Sequence, residues 1–198
     1  MNDKPKYNPN IHHRRSIRLK GYDYSQPGLY FITICCNRRG NPSWLPFGNI
    51  ENGEMIMNEY GQIAYNEWAK LPERFPNFEL DVFQIMPNHM HGIIALVGAT
   101  LAVAQNDAVA QNDAVAQNMD IRAVASPAPA VGDIVGAYKS LVANGCLDIY
   151  KSKNKIMGKL WQRNYHEHII RNELSYQRIS EYVINNPAKW ADDKFYLK

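Results

Sequence analysis

Disulfide chemistry is the first thing this chain lacks the means for: three cysteines in 198 residues build no framework. Cys35 and Cys36 are neighbours in a strand-like run, so they point to opposite faces, and Cys146 stands alone. That usage suits a reducing compartment, and the cytoplasm is the expected location. Long apolar runs are missing too. Nothing approaches the roughly 20 residues of a membrane span, and the polar, basic start of the chain does not read as a secretory signal, so no membrane partner is expected. An overall excess of one charge is also absent, the net charge being +3.

The charge is nevertheless unevenly placed. In residues 1–40, Lys4, Lys6, Arg14, Arg15, Arg18, Lys20, Arg38 and Arg39 stand against Asp3 and Asp23. Residues 151–178 are basic as well, with only Glu167 and Glu173 opposing, whereas residues 51–81 are acidic apart from Lys70 and Arg74. Two basic clusters are compatible with one phosphate-binding face if the fold brings them together. With 45% hydrophobic residues, four Trp and twelve Tyr, the chain can build the core of one ordinary domain.

Residues 1–28 read as a basic, mostly irregular arm broken by Pro5, Pro9 and Pro27, leaving 29–198 as the domain. Tyr30–Cys36, rich in aromatic and β-branched residues, predicts a first strand. The Gly, Pro and Asn of residues 38–53 predict turns and allow a short hairpin. Tyr60, Ile63, Ala64, Trp68 and Leu71 recur at helical spacing, so Asn58–Leu71 reads as a helix stopped by Pro72. Phe78–Met86 and His89–Val97 read as two strands joined by Pro87 and Asn88.

Residues 98–130 differ in kind. Ala102-Val103-Ala104-Gln105-Asn106-Asp107 recurs as Ala108 to Asp113 and in part as Ala114 to Asn118. A six-residue repeat is too short for a solenoid unit of about 20 to 50 residues. It has no aromatic residue and ends in Ser126-Pro127-Ala128-Pro129, which predicts a flexible insert; a short Ala-rich helix is the alternative. Regular structure then resumes, with a helix over Val131–Lys151, a strand over Trp161–Arg171, and a helix from the cap Asn172 to about Asn186, stopped by Pro187. Strand, helix, strand, strand, helix, strand and a last helix describe an α+β domain: a ferredoxin-like antiparallel sheet with helices on one face.

The chemistry is concentrated at Pro87-Asn88-His89-Met90-His91. On a strand, residues i and i+2 share a face, so the two imidazoles sit about 6.6 Å apart along the backbone and can hold one divalent ion from one side. Imidazole accepts several transition metals; for phosphate chemistry a hard ion with open positions, Mg²⁺ or Mn²⁺, is expected. Two His near a turn also have a plain reading, with one of them satisfied by a backbone carbonyl.

The segment Met86-Pro87-Asn88-His89-Met90-His91-Gly92 resembles the His-hydrophobic-His motif of the single-tyrosine HUH transposases, and within them the REP-associated tyrosine transposases. Further likenesses lie at Arg15-Ser16-Ile17-Arg18, Tyr30-Phe31-Ile32-Thr33, Val135-Gly136-Ala137-Tyr138-Lys139-Ser140, the stretch from Trp161 to Asn172, and Tyr182-Val183-Ile184-Asn185-Asn186-Pro187. The resemblance spans most of the chain outside residues 98–130. It implies the HUH nuclease fold and a metal-dependent single-strand DNA endonuclease and strand transferase working through a 5′-phosphotyrosine on single-stranded or hairpin DNA, as monomer or homodimer.

It further implies His89 and His91 as metal ligands and Tyr182 as nucleophile, with Tyr165 the competing tyrosine. Asn186, one turn after Tyr182, is either a third ligand or a helix C-cap. Arg14, Arg15, Arg18, Arg163, His168, Arg171 and Arg178 are the expected DNA contacts. His166 and His168 form a second His-x-His, read as structural or substrate-binding rather than as a second metal site. A hairpin-DNA-binding protein without productive cleavage and a small metal hydrolase using both His pairs are the rival readings.

Overall fold

The computed structural model describes residues 19, 21–37, 44–97 and 129–196. The expectations for Arg14, Arg15 and Arg18 and for the repeat within 98–128 lie outside the described residues.

Strands β1 (Gly28–Cys35), β4 (Phe78–Met86), β5 (His89–Leu96) and β6 (His166–Ile170) form one antiparallel sheet in the order β4-β5-β1-β6. β1 and β5 pair along their length, from Gly28 opposite Leu96 to Cys35 opposite His89. This is the ferredoxin-like order, in which α1 (Glu59–Ala69) and α3 (Val131–Ser152) are the crossover helices. The short α2 (Leu71–Arg74) follows α1 and begins with Pro72 in its first turn. Asn58 caps α1, its side chain accepting from the backbone N–H groups of Tyr60 and Gly61. The hairpin of β2 (Gly48–Glu51) and β3 (Glu54–Met57) turns at Asn52 and Gly53, both at positive φ, as a two-residue hairpin loop requires.

The main core lies between the sheet and the crossover helices. Tyr30, Ile32 and Ile34 of β1 and Met90 and Ile94 of β5 meet Trp68 of α1 and Tyr138 and Val142 of α3, all fully buried. The Trp68 and Tyr138 rings cross edge-on at 5.1 Å, and the Tyr138 hydroxyl donates to the Ala64 carbonyl. Gly92 is needed beneath Trp68: a Cβ there would lie 2.9 Å from that indole. Cys36 and Cys146 serve as core residues, and the three cysteines are buried thiols rather than disulfide partners.

Two expectations need correction. The crossover helices do share one face, but α4 (Glu173–Asn185) covers the other, against β4 and β5. The cause is in β5, buried on both sides almost throughout; a strand without a solvent face needs a second cover. Secondly, the last strand is short. Trp161 makes only an isolated bridge to Cys36, and regular pairing begins at His166. Between them the Lys139 ammonium donates to the carbonyls of Gln162 and Arg163, holding this polar stretch as a loop.

Among the described residues no helix is long and apolar enough to cross a membrane. Both ends of the 98–128 segment are tied to one buried residue. The Val97 N–H donates to the Asn77 carbonyl at 2.9 Å, and the Asn77 amide donates to the Pro129 carbonyl at 3.1 Å. Deleting Ala102 through Asn118 should therefore change stability by less than about 1 kcal/mol, since loop-closure entropy varies slowly with length. Chemical denaturation checks this, and an unfolded deletion variant would show the segment to be packed structure.

Candidate active site

His89 opens β5 and His91 follows on the same face, the one covered by α4. Both are buried, with Thr33, Asn88 and Asn186 as further buried polar residues; among the described residues Asn77 is the one other buried polar side chain. Each imidazole is oriented through its Nδ1. The Asn88 amide oxygen can only accept, so His89 Nδ1 donates to it at 2.9 Å. The Asn88 amide nitrogen in turn donates to the Phe195 carbonyl. His91 Nδ1 lies 2.8 Å from the Thr33 hydroxyl. Both Nε2 atoms consequently turn inward, 3.0 Å apart. At His89 the outer nitrogen carries the proton and the inner one presents its lone pair, which is how proteins prepare His for a metal.

Three further groups close on this pair. Asp193 joins His89 and His91 in a group whose ligand atoms all lie within 4.8 Å of one another. The Tyr182 hydroxyl sits 3.1 Å from His91 Nε2 and donates to Asp193 Oδ2 at 3.2 Å. The Asn186 amide nitrogen donates to the same Oδ2 at 2.8 Å, while its buried Oδ1 has no hydrogen-bond partner. The Phe195 ring packs at a tilt against His89, with ring centroids 4.5 Å apart.

Electrostatics favour the neutral states. Burial pulls His91 from its ordinary 6.5 down to about 3, against the opposing charge of Asp193, so the imidazole stays neutral as ligation requires. Partial burial first, and then the Asp193 carboxylate, hold the Tyr182 phenol well above its ordinary value.

These residues fit a divalent metal ion. Two nitrogens bound at right angles to one ion at about 2.1 Å are themselves about 3 Å apart, which matches the Nε2 separation. Two imidazoles and a carboxylate are an ordinary donor set, and the orphaned Asn186 oxygen is a further polar atom in the group. Replacing Asp193 by alanine should weaken Mn²⁺ binding at least about tenfold, because a charged member of the donor set is lost. Calorimetric titration reads this, and undiminished affinity would remove Asp193 from the set.

Asp193 escaped sequence reasoning. Pro187 does follow the end of α4, but it opens a 3₁₀ helix (Pro187–Asp192) that returns the chain to the site. Proline at a first helical position was the signal available. Of the other expected site residues, Arg178 on α4 lines the cleft beside Tyr182. His168 faces the α4 side of the sheet, opposite Phe31, and His166 likewise faces Thr33. Arg163 and Arg171 are exposed on the segments flanking β6 and line no cleft with Tyr182. Tyr165 packs against the main core. The second His pair joins no three-residue ligand group among the described residues.

No family's sequence profile matches the chain. A protein of Haemophilus influenzae, described only as uncharacterized, is 40% identical over 196 residues, covering 97% of this chain and 98% of that protein. Among solved structures, a REP-associated tyrosine transposase bound to a REP hairpin superposes with a TM-score of 0.53 at 20% identity, covering 89% of this chain and 76% of the other. The chain therefore belongs to the family of that Haemophilus influenzae protein, and it has the α+β fold seen in a REP-associated tyrosine transposase, with a His-x-His metal-site candidate at its centre.

Proposed function

We propose that the protein is a metal-dependent single-strand DNA endonuclease and strand transferase that uses Tyr182 as nucleophile on hairpin-forming repeat DNA. The observation that carries this reading is the Tyr182 hydroxyl, held 3.1 Å from His91 Nε2 and 3.2 Å from Asp193 at a group able to hold a metal. A bound Mg²⁺ or Mn²⁺ would polarise the scissile phosphate and offset the Asp193 charge; two imidazole donors favour Mn²⁺.

The chain's own residues account for the rest. Tyr182 Oη forms a bond to phosphorus as the bond from phosphorus to the 3′-oxygen breaks. The phenol proton passes to the Asp193 carboxylate, and the departing 3′-oxygen takes up a proton. The resulting 5′-phosphotyrosine conserves the phosphodiester energy, so the 3′-hydroxyl of another strand can reverse the step without a nucleotide cofactor. Arg178 lies beside the tyrosine, while Arg163, His168 and Arg171 on and around β6, with Arg14, Arg15 and Arg18 of the arm, would hold DNA phosphates. The REP hairpin bound by the transposase of the same fold supports this choice of substrate.

Incubation with hairpin-containing single-stranded DNA and Mn²⁺ should give a protein–DNA species that survives denaturing electrophoresis, with release of a strand ending in a 3′-hydroxyl. EDTA should prevent both. Tight hairpin binding with no adduct would instead make the protein a DNA-binding module.

A further inference from the structure

A second cavity, about 510 Å³, opens between β6 and α4 beside the Tyr182 cleft. Phe31, Leu174 and Ile179 give it apolar walls, and His168, Ser175 and Arg178 are polar groups on its lining. Two residues make it continuous with the site. Arg178 lines both the cavity and the Tyr182 cleft. The Phe31 ring lies 5.4 Å from the His91 ring and stands edge-on to Tyr182 at 6.2 Å. The charges of the two spaces differ. The Tyr182 cleft contains Glu181, Asp192 and Asp193 together with Arg178 and Lys189, whereas the second cavity has Arg178 and no carboxylate on its lining. A polyanionic strand leaving the tyrosine through the second cavity meets a cation beside an aromatic face, with no carboxylate to offset it.

We infer that this cavity is a nucleotide subsite: it takes the base of a nucleotide flanking the attacked phosphate, stacked on Phe31, with Arg178 on the connecting backbone. The inference rests on the single-strand DNA reading above and extends it to how the strand is threaded. Stacking on an aromatic side chain tolerates any base, so the subsite would fix the position of the strand more than its sequence.

The test is equilibrium binding, independent of cleavage. Fluorescence anisotropy is measured with a hairpin DNA whose single-stranded flank carries an abasic site at each position in turn. For the wild-type protein, one position should lose affinity on the order of tenfold. In Phe31→Leu, which keeps an apolar side chain but loses the ring, abasic and complete DNA should bind within about twofold of each other. Ser175→Phe, which fills the cavity from the helix side, should abolish the same difference without altering β1. Arg178→Gln should weaken all the DNAs and lower the salt slope of binding by about one.

An abasic penalty that persists in both Phe31→Leu and Ser175→Phe would overturn the subsite, as would a wild-type protein indifferent to every abasic position. The adduct assay reports separately on Tyr182. A Phe31-dependent penalty without any adduct would leave the subsite standing and remove the cleavage reaction; an adduct without the penalty would do the reverse.

Discussion

Replacing Tyr182 by phenylalanine should abolish the covalent protein–DNA adduct while leaving the fold and hairpin affinity almost unchanged. The substitution removes one oxygen. That oxygen contacts His91 and Asp193, and α4 is held to the sheet elsewhere, through buried Val183 and through the Tyr176 hydroxyl donating to Asp81. Tyr182 is itself 41% exposed, so the loss of its hydrogen bonds should cost no more than about 1 kcal/mol in stability. The other hydroxyl beside His91 among the described residues, that of Thr33, is buried at the Nδ1 side of the ring, away from the facing Nε2 atoms. The matched Tyr165→Phe should retain the adduct, because that ring packs against the main core. Denaturing electrophoresis of both variants decides the matter, and an adduct lost only in Tyr165→Phe would transfer the nucleophile there.

The second large effect is expected at the histidines. His89→Ala and His91→Ala should each reduce metal-dependent cleavage by more than about a hundredfold, the upper end of what the loss of a mere outer-shell partner costs a metal site. The two rings act as one unit through their facing Nε2 atoms, so the double variant should be little worse than either single one. Because both rings are buried, stability must be measured alongside by thermal unfolding. Metal-dependent cleavage that survives both changes would place the site elsewhere, with His166 and His168 the next groups to vary.

Much of this architecture could be read from residue order because it rests on local periodicity. Period-two alternation put His89 and His91 on one face, and β4 runs from Phe78 to Met86 as its composition predicts. Helical spacing located α1, and spacing together with the cap Asn172 located α4. What escaped depends on tertiary partners. Whether α4 joins the crossover helices or covers the opposite face is settled by a strand that is buried on both sides. The break before β6 depends on Lys139, more than twenty residues away in sequence, taking two carbonyls. Asp193 is the clearest omission. Its approach to His91 follows from a proline-led 3₁₀ turn whose direction no local pattern states.

Asn77 carries a consequence for how this gene can change. It anchors the chain on both sides of residues 98–128, and that anchor lies at the end of β5 remote from the histidines, about 23 Å along the strand. Repeated sequence is prone to gain or lose units when DNA is copied, and the six-residue repeat lies between the two anchored points. Each such event alters the length of chain that leaves and returns at Asn77, while the spacing of β5, α3 and the residues around Tyr182 is untouched. Length variants of this stretch are therefore expected to keep the sheet and the site, an outcome that the Ala102–Asn118 deletion checks directly.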